Sequence, residues 1–167
     1  KNQNEHSAKE SSWRTSETAW CDSICQQNNS VVDSLMNRIS RLVGLPRKSM
    51  EPLQLLRYKP GQFYTNHHDY IEGQRHLPCG PRLMTFFLYL NTNDNGGGQT
   101  SFSDLGISIS PSGGRAVIWP NVLDHNLEEI DIRTYHEAKP VKKGFKFAAN
   151  IWFHLYDYET ALQDGCT

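Results

Sequence analysis

Phe145-Lys146-Phe147-Ala148-Ala149-Asn150-Ile151-Trp152-Phe153-His154-Leu155 is the stretch on which the fold class turns. In an extended chain Phe145, Phe147, Ala149, Ile151, Phe153 and Leu155 share one face, and Lys146, Ala148, Asn150, Trp152 and His154 share the other, because side chains alternate along a strand. Residues 145–155 therefore read as a β-strand. Working back along the chain, shorter runs of similar texture recur at 53–58, 62–69, 82–91, 107–109, 115–119 and 133–136. Turn formers separate them: Lys59-Pro60-Gly61, Asn93 to Gly98, Pro111-Ser112-Gly113-Gly114 and Lys142-Lys143-Gly144. Many short strands at this spacing predict a mainly β domain, a sandwich, jelly roll or barrel. No internal repeat is visible.

Upstream the period changes. Ser30 can cap a helix with Asp33 at its N3 position, and apolar residues follow at 31, 32, 35, 36, 39, 42 and 43. Gly44 and Pro46 end it. Its apolar face is expected to lie on the rest of the domain, giving an α+β character overall. Arg14 to Gln27 is polar, carries two cysteines and reads as loop. Residues 1–13 are polar and Ser-rich, and read as a mobile arm or trimmed end. One domain over 1–167 is expected, with a loop and helix over 14–52 and a β core over 53–156.

The 167 residues suffice for a real core, and 37% hydrophobic with 21% charged residues is ordinary for a globular protein. A formal net charge of −1 gives no electrostatic case for nucleic acid or an anionic membrane surface. No apolar run approaches the roughly 20 residues of a membrane span. The opening Lys1-Asn2-Gln3-Asn4 is polar, so no signal peptide is read there. Cys21, Cys25, Cys79 and Cys166 contain no CxxC pair, which argues against a zinc ribbon. Disulfides and free thiols both remain open, since spacing alone does not decide pairing.

Chemistry concentrates at His67-His68-Asp69 and the later His136. On a strand His67 and Asp69 point to one side and His68 to the other. A His-x-Asp pair with one distant histidine is the ligand set of the two-His, one-carboxylate triad, which leaves positions open on Fe(II). Taken bare, the same residues could be surface histidines in a polar loop. Lys146 weighs against that: in so apolar a strand it must reach solvent or meet a buried anion. Beside a metal cavity, the far carboxylate of a dicarboxylate is the better partner. Trp152 and His154 share its face, which suits a cavity wall. The Gly96-Gly97-Gly98 turn delivers Thr100, whose hydroxyl could join Lys146 on the same carboxylate.

Three segments carry a family resemblance. Tyr58 to Tyr70 resembles the YxxGQxYxxHxDY segment of prolyl 4-hydroxylase catalytic domains. Arg82 to Leu90 with Gly97-Gly98-Gln99-Thr100 is similar to RxxTxxxYL…GGET, and His136 to Lys146 to HxxxPVxxGxK. Arg14-Thr15-Ser16 also resembles the family's RTS, so the likeness runs from about residue 14 to 156. It implies a double-stranded β-helix (jelly-roll) core with the N-terminal helix packed outside. By position, His67, Asp69 and His136 are the implied Fe(II) ligands. Lys146, assisted by Thr100 and Tyr58, is the implied 2-oxoglutarate anchor. Glu51, Tyr64, Arg82, Trp152 and His154 are the implied peptide groove, with Arg14 and Ser16 on a mobile loop above it. Lysine at 146, where oxygen-sensing relatives carry arginine, points to the collagen, plant and algal branch. Gln99 departs from the acidic residue of GGET, Lys139 from a common cysteine, and Phe147 from the usual tryptophan. None removes a ligand.

The resemblance implies 2-oxoglutarate- and O2-dependent hydroxylation of peptidyl proline to 4-hydroxyproline, with succinate and CO2 as co-products and ascorbate as reductant. The implied partner is a proline-containing peptide or protein, and the implied compartment the endoplasmic reticulum or secretory pathway. Two alternatives stand beside it: a same-fold dioxygenase acting on lysyl side chains or a free amino acid, and a non-catalytic jelly-roll binding module. Natural substrate and oligomeric state are not legible.

Overall fold

The computed structural model of the chain describes residues 13–22, 24, 25, 28 and 30–166. The expected arm therefore lies outside the described residues except for Trp13, whose carbonyl accepts the Thr65 N–H at 2.9 Å. Three 14-to-52 features stand ahead of the core: strand β1 (Glu17–Cys21), helix α1 (Ser30–Val43) and a 3-10 turn (Arg47–Ser49). Strands follow as β2 (Leu53–Tyr58), β3 (Tyr64–His67), β4 (Arg82–Tyr89), β5 (Thr100–Phe102), β6 (Ile107–Ile109) and β7 (Ala116–Pro120). The chain closes with β8 (Val122–Leu123), β9 (Asn126–Ile130), β10 (His136–Ala138), β11 (Lys146–His154) and a short α2 (Tyr158–Gln163).

One antiparallel sheet runs β1-β2-β11-β4-β7, a second runs β3-β10-β5-β6, and β8-β9 form a hairpin. The stretch 145–155 sits at the centre of the larger sheet, paired to β2 on one side and β4 on the other. Its alternation sorts two cores. Ala149, Ile151 and Phe153 pack with Leu53, Phe86 and, from α1, Met36 and Ile39 on the outer face. Ala148, Tyr58, Phe87, Tyr89 and Trp119 pack with Phe102 and Ala138 of the smaller sheet, so the second core lies between the sheets. This is the expected jelly roll. Helix α1 holds on through Met36 and Ile39, each at 2% exposure or less, each contributing about 1.5–3 kcal/mol. Val31 and Leu42 of the same apolar series stay exposed, and Phe145 and Phe147 lie beyond the helix's reach on the outer face.

Several boundaries differ from the sequence expectation. Glu17–Cys21 is an edge strand rather than loop; its Trp20 is half-exposed, so pairing with β2 and not a hydrophobic pattern makes it a strand. The run 62–69 shortens to β3, leaving Asp69 just past the strand end. The run 133–136 becomes a 3-10 turn over Ile132–Thr134 followed by β10, because the Asp131 side chain accepts the Arg133 N–H and caps the turn. The hairpin β8-β9 and helix α2 were not foreseen. Cys21 is bonded to Cys25, while Cys79 and Cys166 are free. Among the described residues no helix is long and apolar enough to cross a membrane.

Candidate functional site

His67 ends β3 and His136 opens β10, and the two are direct cross-strand partners. That register brings their rings together, tilted by 55° with centroids 4.2 Å apart. The His67 Nδ1–H donates to the Thr65 carbonyl at 2.8 Å and the His136 Nδ1–H to the Thr134 carbonyl at 3.0 Å. A carbonyl accepts only from a protonated nitrogen, so with Nδ1 carrying the proton of a neutral ring, Nε2 is the nitrogen that keeps its lone pair. Both Nε2 atoms face the Asp69 carboxylate, at 3.7 Å from Oδ1 and 3.8 Å from Oδ2. Those gaps are too long for hydrogen bonds. Three donor atoms, one from each residue, lie within 4.8 Å of one another, and this is the one such cluster found among the described residues.

The electrostatics suit a cation. Burial, and then the neighbouring His136, depress the His67 pKa to about 4, so the ring is neutral at physiological pH. Burial pushes the Asp69 carboxyl up, but His136, His67 and the Thr85 hydroxyl outweigh it and the net shift is downward. That hydroxyl donates to Asp69 Oδ2 at 2.7 Å. His68, like Asp69, lies past the end of β3, and its own hydrogen bonds hold it out of the cluster. Its Nδ1 accepts the Tyr70 N–H, and its Nε2 lies 3.1 Å from the Asp131 carbonyl.

Next to the cluster, between the sheets, lies Lys146. It is fully buried, and its ammonium has no hydrogen-bond partner among the described residues. Tyr58, Phe87 and Tyr89 surround it, with ring centroids 5.0, 5.2 and 5.5 Å from Nζ. Burial alone lowers its pKa to about 7. Gly98 makes room for this side chain: a Cβ there would come within 3.3 Å of Lys146 Cδ and 3.1 Å of Val141. Its φ of 75° also belongs to the region glycine favours. Thr100 stands opposite, its hydroxyl 2.7 Å from the Tyr89 hydroxyl, which also lies 3.0 Å from the Ile109 carbonyl. Tyr89 was not singled out in the sequence; its place in an apolar strand disguised it. The shared cavity, lined by Tyr58, Tyr64, His67, Thr100, His136 and Lys146 among others, is narrow, about 20 Å³. A dicarboxylate therefore requires its side chains to give way. A roomier cleft of about 270 Å³ between α1 and α2 is lined by Asp33, Arg47, Glu51 and Glu159, away from the triad.

The remaining residues form the mouth and its support. Arg82 lies over the Trp152 ring at 3.9 Å, and Trp20 extends the stack to the surface at 6.0 Å from Trp152. Across the opening the Arg14 guanidinium sits 5.0 Å over the Tyr64 ring, and its Nε donates to the Ser16 hydroxyl at 2.7 Å. Glu51 and His154 were expected in the groove wall, but at 3% and 1% exposure they lie behind it. Glu51 accepts two bonds from Arg82, at 2.5 and 3.0 Å, and one from His154 Nε2 at 2.8 Å. Burial raises the Glu51 carboxyl, yet His154 and Arg82 bring it below its ordinary value. Phe147, one of the departures, is on the outer face against Phe145 and does not touch the site.

A buried carboxylate beside two deprotonated imidazole nitrogens fits a divalent transition metal. The orphaned Lys146 ammonium and the hydroxyls near it fit a carboxylate. Residues 53–154 match the family described as the 2OG-Fe(II) oxygenase superfamily. The chain is 35% identical over 146 residues to the chicken (Gallus gallus) prolyl 4-hydroxylase subunit alpha-2, covering 86% of this chain and 26% of that protein. It thus spans about a quarter of the length of these curated relatives, the human prolyl 4-hydroxylase subunit alpha-1 included. A viral collagen prolyl hydroxylase from Paramecium bursaria Chlorella virus-1, solved as a 2OG complex, superposes with a TM-score of 0.72 at 30% identity, covering 85% of this chain and 80% of that one. A prolyl hydroxylase from Trichoplax adhaerens, solved with a hypoxia-inducible-factor peptide, shares the fold at 21% identity and a TM-score of 0.61, covering 90% of this chain and 67% of that one. The jelly roll, the His67–Asp69–His136 cluster and the match over its whole β core place this chain in the 2OG-Fe(II) oxygenase superfamily.

Proposed function

We propose that the domain is a peptidyl-proline 4-hydroxylase that uses 2-oxoglutarate and O2 and gives 4-hydroxyproline, succinate and CO2. The observation that carries the co-substrate assignment is Lys146, a fully buried ammonium with no hydrogen-bond partner among the described residues, in the cavity lined by the triad's two histidines. The names of the similar proteins support the prolyl substrate, the viral collagen hydroxylase being the most telling at 80% coverage of its chain.

In this reading His67, Asp69 and His136 hold Fe(II), which together with 2-oxoglutarate supplies the oxidising chemistry when bound. The protein's own residues do the rest. Both Nδ1–H bonds to backbone carbonyls aim the imidazoles, and the low pKa of His67 keeps that ring available as a ligand. Lys146 takes the distal carboxylate, with Thr100 donating to it and Tyr89 orienting Thr100. The Tyr58 and Phe87 rings close off water from the ammonium, strengthening the ion pair. Arg82 on Trp152 forms one wall of the peptide site, held from behind by Glu51 and His154; Tyr64, Arg14 and Ser16 form the other. Ascorbate serves as reductant. A secretory compartment agrees with the Cys21–Cys25 disulfide.

The test is incubation with proline-rich and lysine-containing peptides, read by mass spectrometry for the gain of one oxygen atom. Gain on proline alone is expected. Succinate formation without any gain on proline peptides would overturn the prolyl assignment and leave the oxygenase standing.

A further inference from the structure

We propose that Asn121 is a positioning residue of the metal centre, acting on Asp69 through the hydroxyl of Thr85. The proposal rests on the metal-site reading above. Thr85, on β4, and Asn121, just after β7, are both fully buried. Three atoms lie close to the Thr85 hydroxyl oxygen: Asp69 Oδ2 at 2.7 Å, Asn121 Nδ2 at 3.1 Å and Asn121 Oδ1 at 3.3 Å. A hydroxyl has one proton to give. The ionised carboxylate is the nearer and stronger acceptor, so the proton goes to Asp69. Thr85 oxygen must then accept, and the Asn121 amide N–H is the donor beside it. A single polarity results, with Asn121 donating to Thr85 and Thr85 donating to Asp69.

The Asn121 backbone anchors this relay at both ends. Its N–H donates to the Leu83 carbonyl at 2.7 Å, and its own carbonyl accepts the Asp131 N–H at 3.0 Å. Asp131 caps the turn whose Thr134 carbonyl receives the His136 Nδ1–H. One buried asparagine therefore supports the carboxylate through its side chain and braces the His136 turn through its backbone. With Oδ2 held by Thr85, rotation of the Asp69 carboxylate is restricted and Oδ1 stays directed toward His67.

Partners of this kind typically change metal affinity by about 10–100-fold. Co(II) titrated calorimetrically into the metal-free protein reads this without turnover. Thr85→Val and Asn121→Leu are expected to weaken Co(II) binding by about 10-fold or more, and Thr85→Ser, which keeps the hydroxyl, to restore it. Because Asn121 acts through Thr85, the double variant Thr85→Val/Asn121→Leu should lose no more than Thr85→Val alone. Unchanged binding in Asn121→Leu, or additive losses in the double variant, would overturn the relay. No Co(II) binding by the unsubstituted protein would instead overturn the metal-site reading itself. If Asn121→Leu fails to fold, the Thr85→Val and Thr85→Ser pair still decides whether the hydroxyl supports Asp69, and equal affinity in that pair overturns the proposal.

Discussion

Replacing Lys146 by methionine separates folding from function in a way that can be calculated. Burial lowers the lysine from its usual 10.5 to about 7. At about 1.4 kcal/mol per unit, holding the charged form in the fold costs about 5 kcal/mol. The unfolded chain binds more protons than the folded one between about pH 7 and about pH 10.5, so this group makes stability rise with pH across that window. The penalty is fully present below about pH 7 and fades above it, falling by about 3 kcal/mol from about pH 6 to about pH 9. Methionine fills a similar volume among Tyr58, Phe87 and Tyr89 without a charge. Urea unfolding of both proteins over that range should show the variant's advantage shrinking by about 3 kcal/mol as pH rises. Added 2-oxoglutarate should raise the melting temperature of the unsubstituted protein and leave that of Lys146→Met unchanged. A stability difference independent of pH would refute the buried-ammonium argument. Equal stabilisation of both by 2-oxoglutarate would refute the anchor.

Two further outcomes follow from the site's surroundings. Glu51→Gln removes the one carboxylate shared by Arg82 and His154, so denaturant unfolding should show a loss of about 3–5 kcal/mol; a loss under about 1 kcal/mol would mean the network adds little to the fold. Cys79 is fully buried, with burial pushing its thiol up, while Cys166 is partly exposed. Alkylation of the native protein should therefore label Cys166 and spare Cys79 until denaturant is added, as peptide mass mapping will show.

Much of the architecture was legible because local pattern and final environment agree. The alternation of 145–155 separated the residues facing α1 from those facing the smaller sheet, and α1 itself ends before Gly44, whose φ of 78° stops it. Strand β1 was missed because an edge strand needs no hydrophobic period, only a partner, and its partner β2 is distant in sequence, Glu17 pairing with Arg57 and Cys21 with Leu53. Asp69 sits past the end of its strand and is aimed by Thr85, not by alternation. Strand alternation would have placed it on the same side for the wrong reason.

What the sequence determined by itself is the identity of the reacting groups: two histidines, one aspartate and a lysine in segments whose order and spacing match a known family. What only the tertiary structure decided is their state. Whether Lys146 meets solvent or is enclosed depends on Tyr58, Phe87 and Tyr89 arriving from two other strands. Whether Glu51 and His154 touch a substrate or hold Arg82 depends on contacts spanning 31 and 103 residues of chain. Local sequence sets side-chain chemistry and period, whereas protonation, exposure and tautomer follow from neighbours brought together by folding, and only the packed sheets supply those.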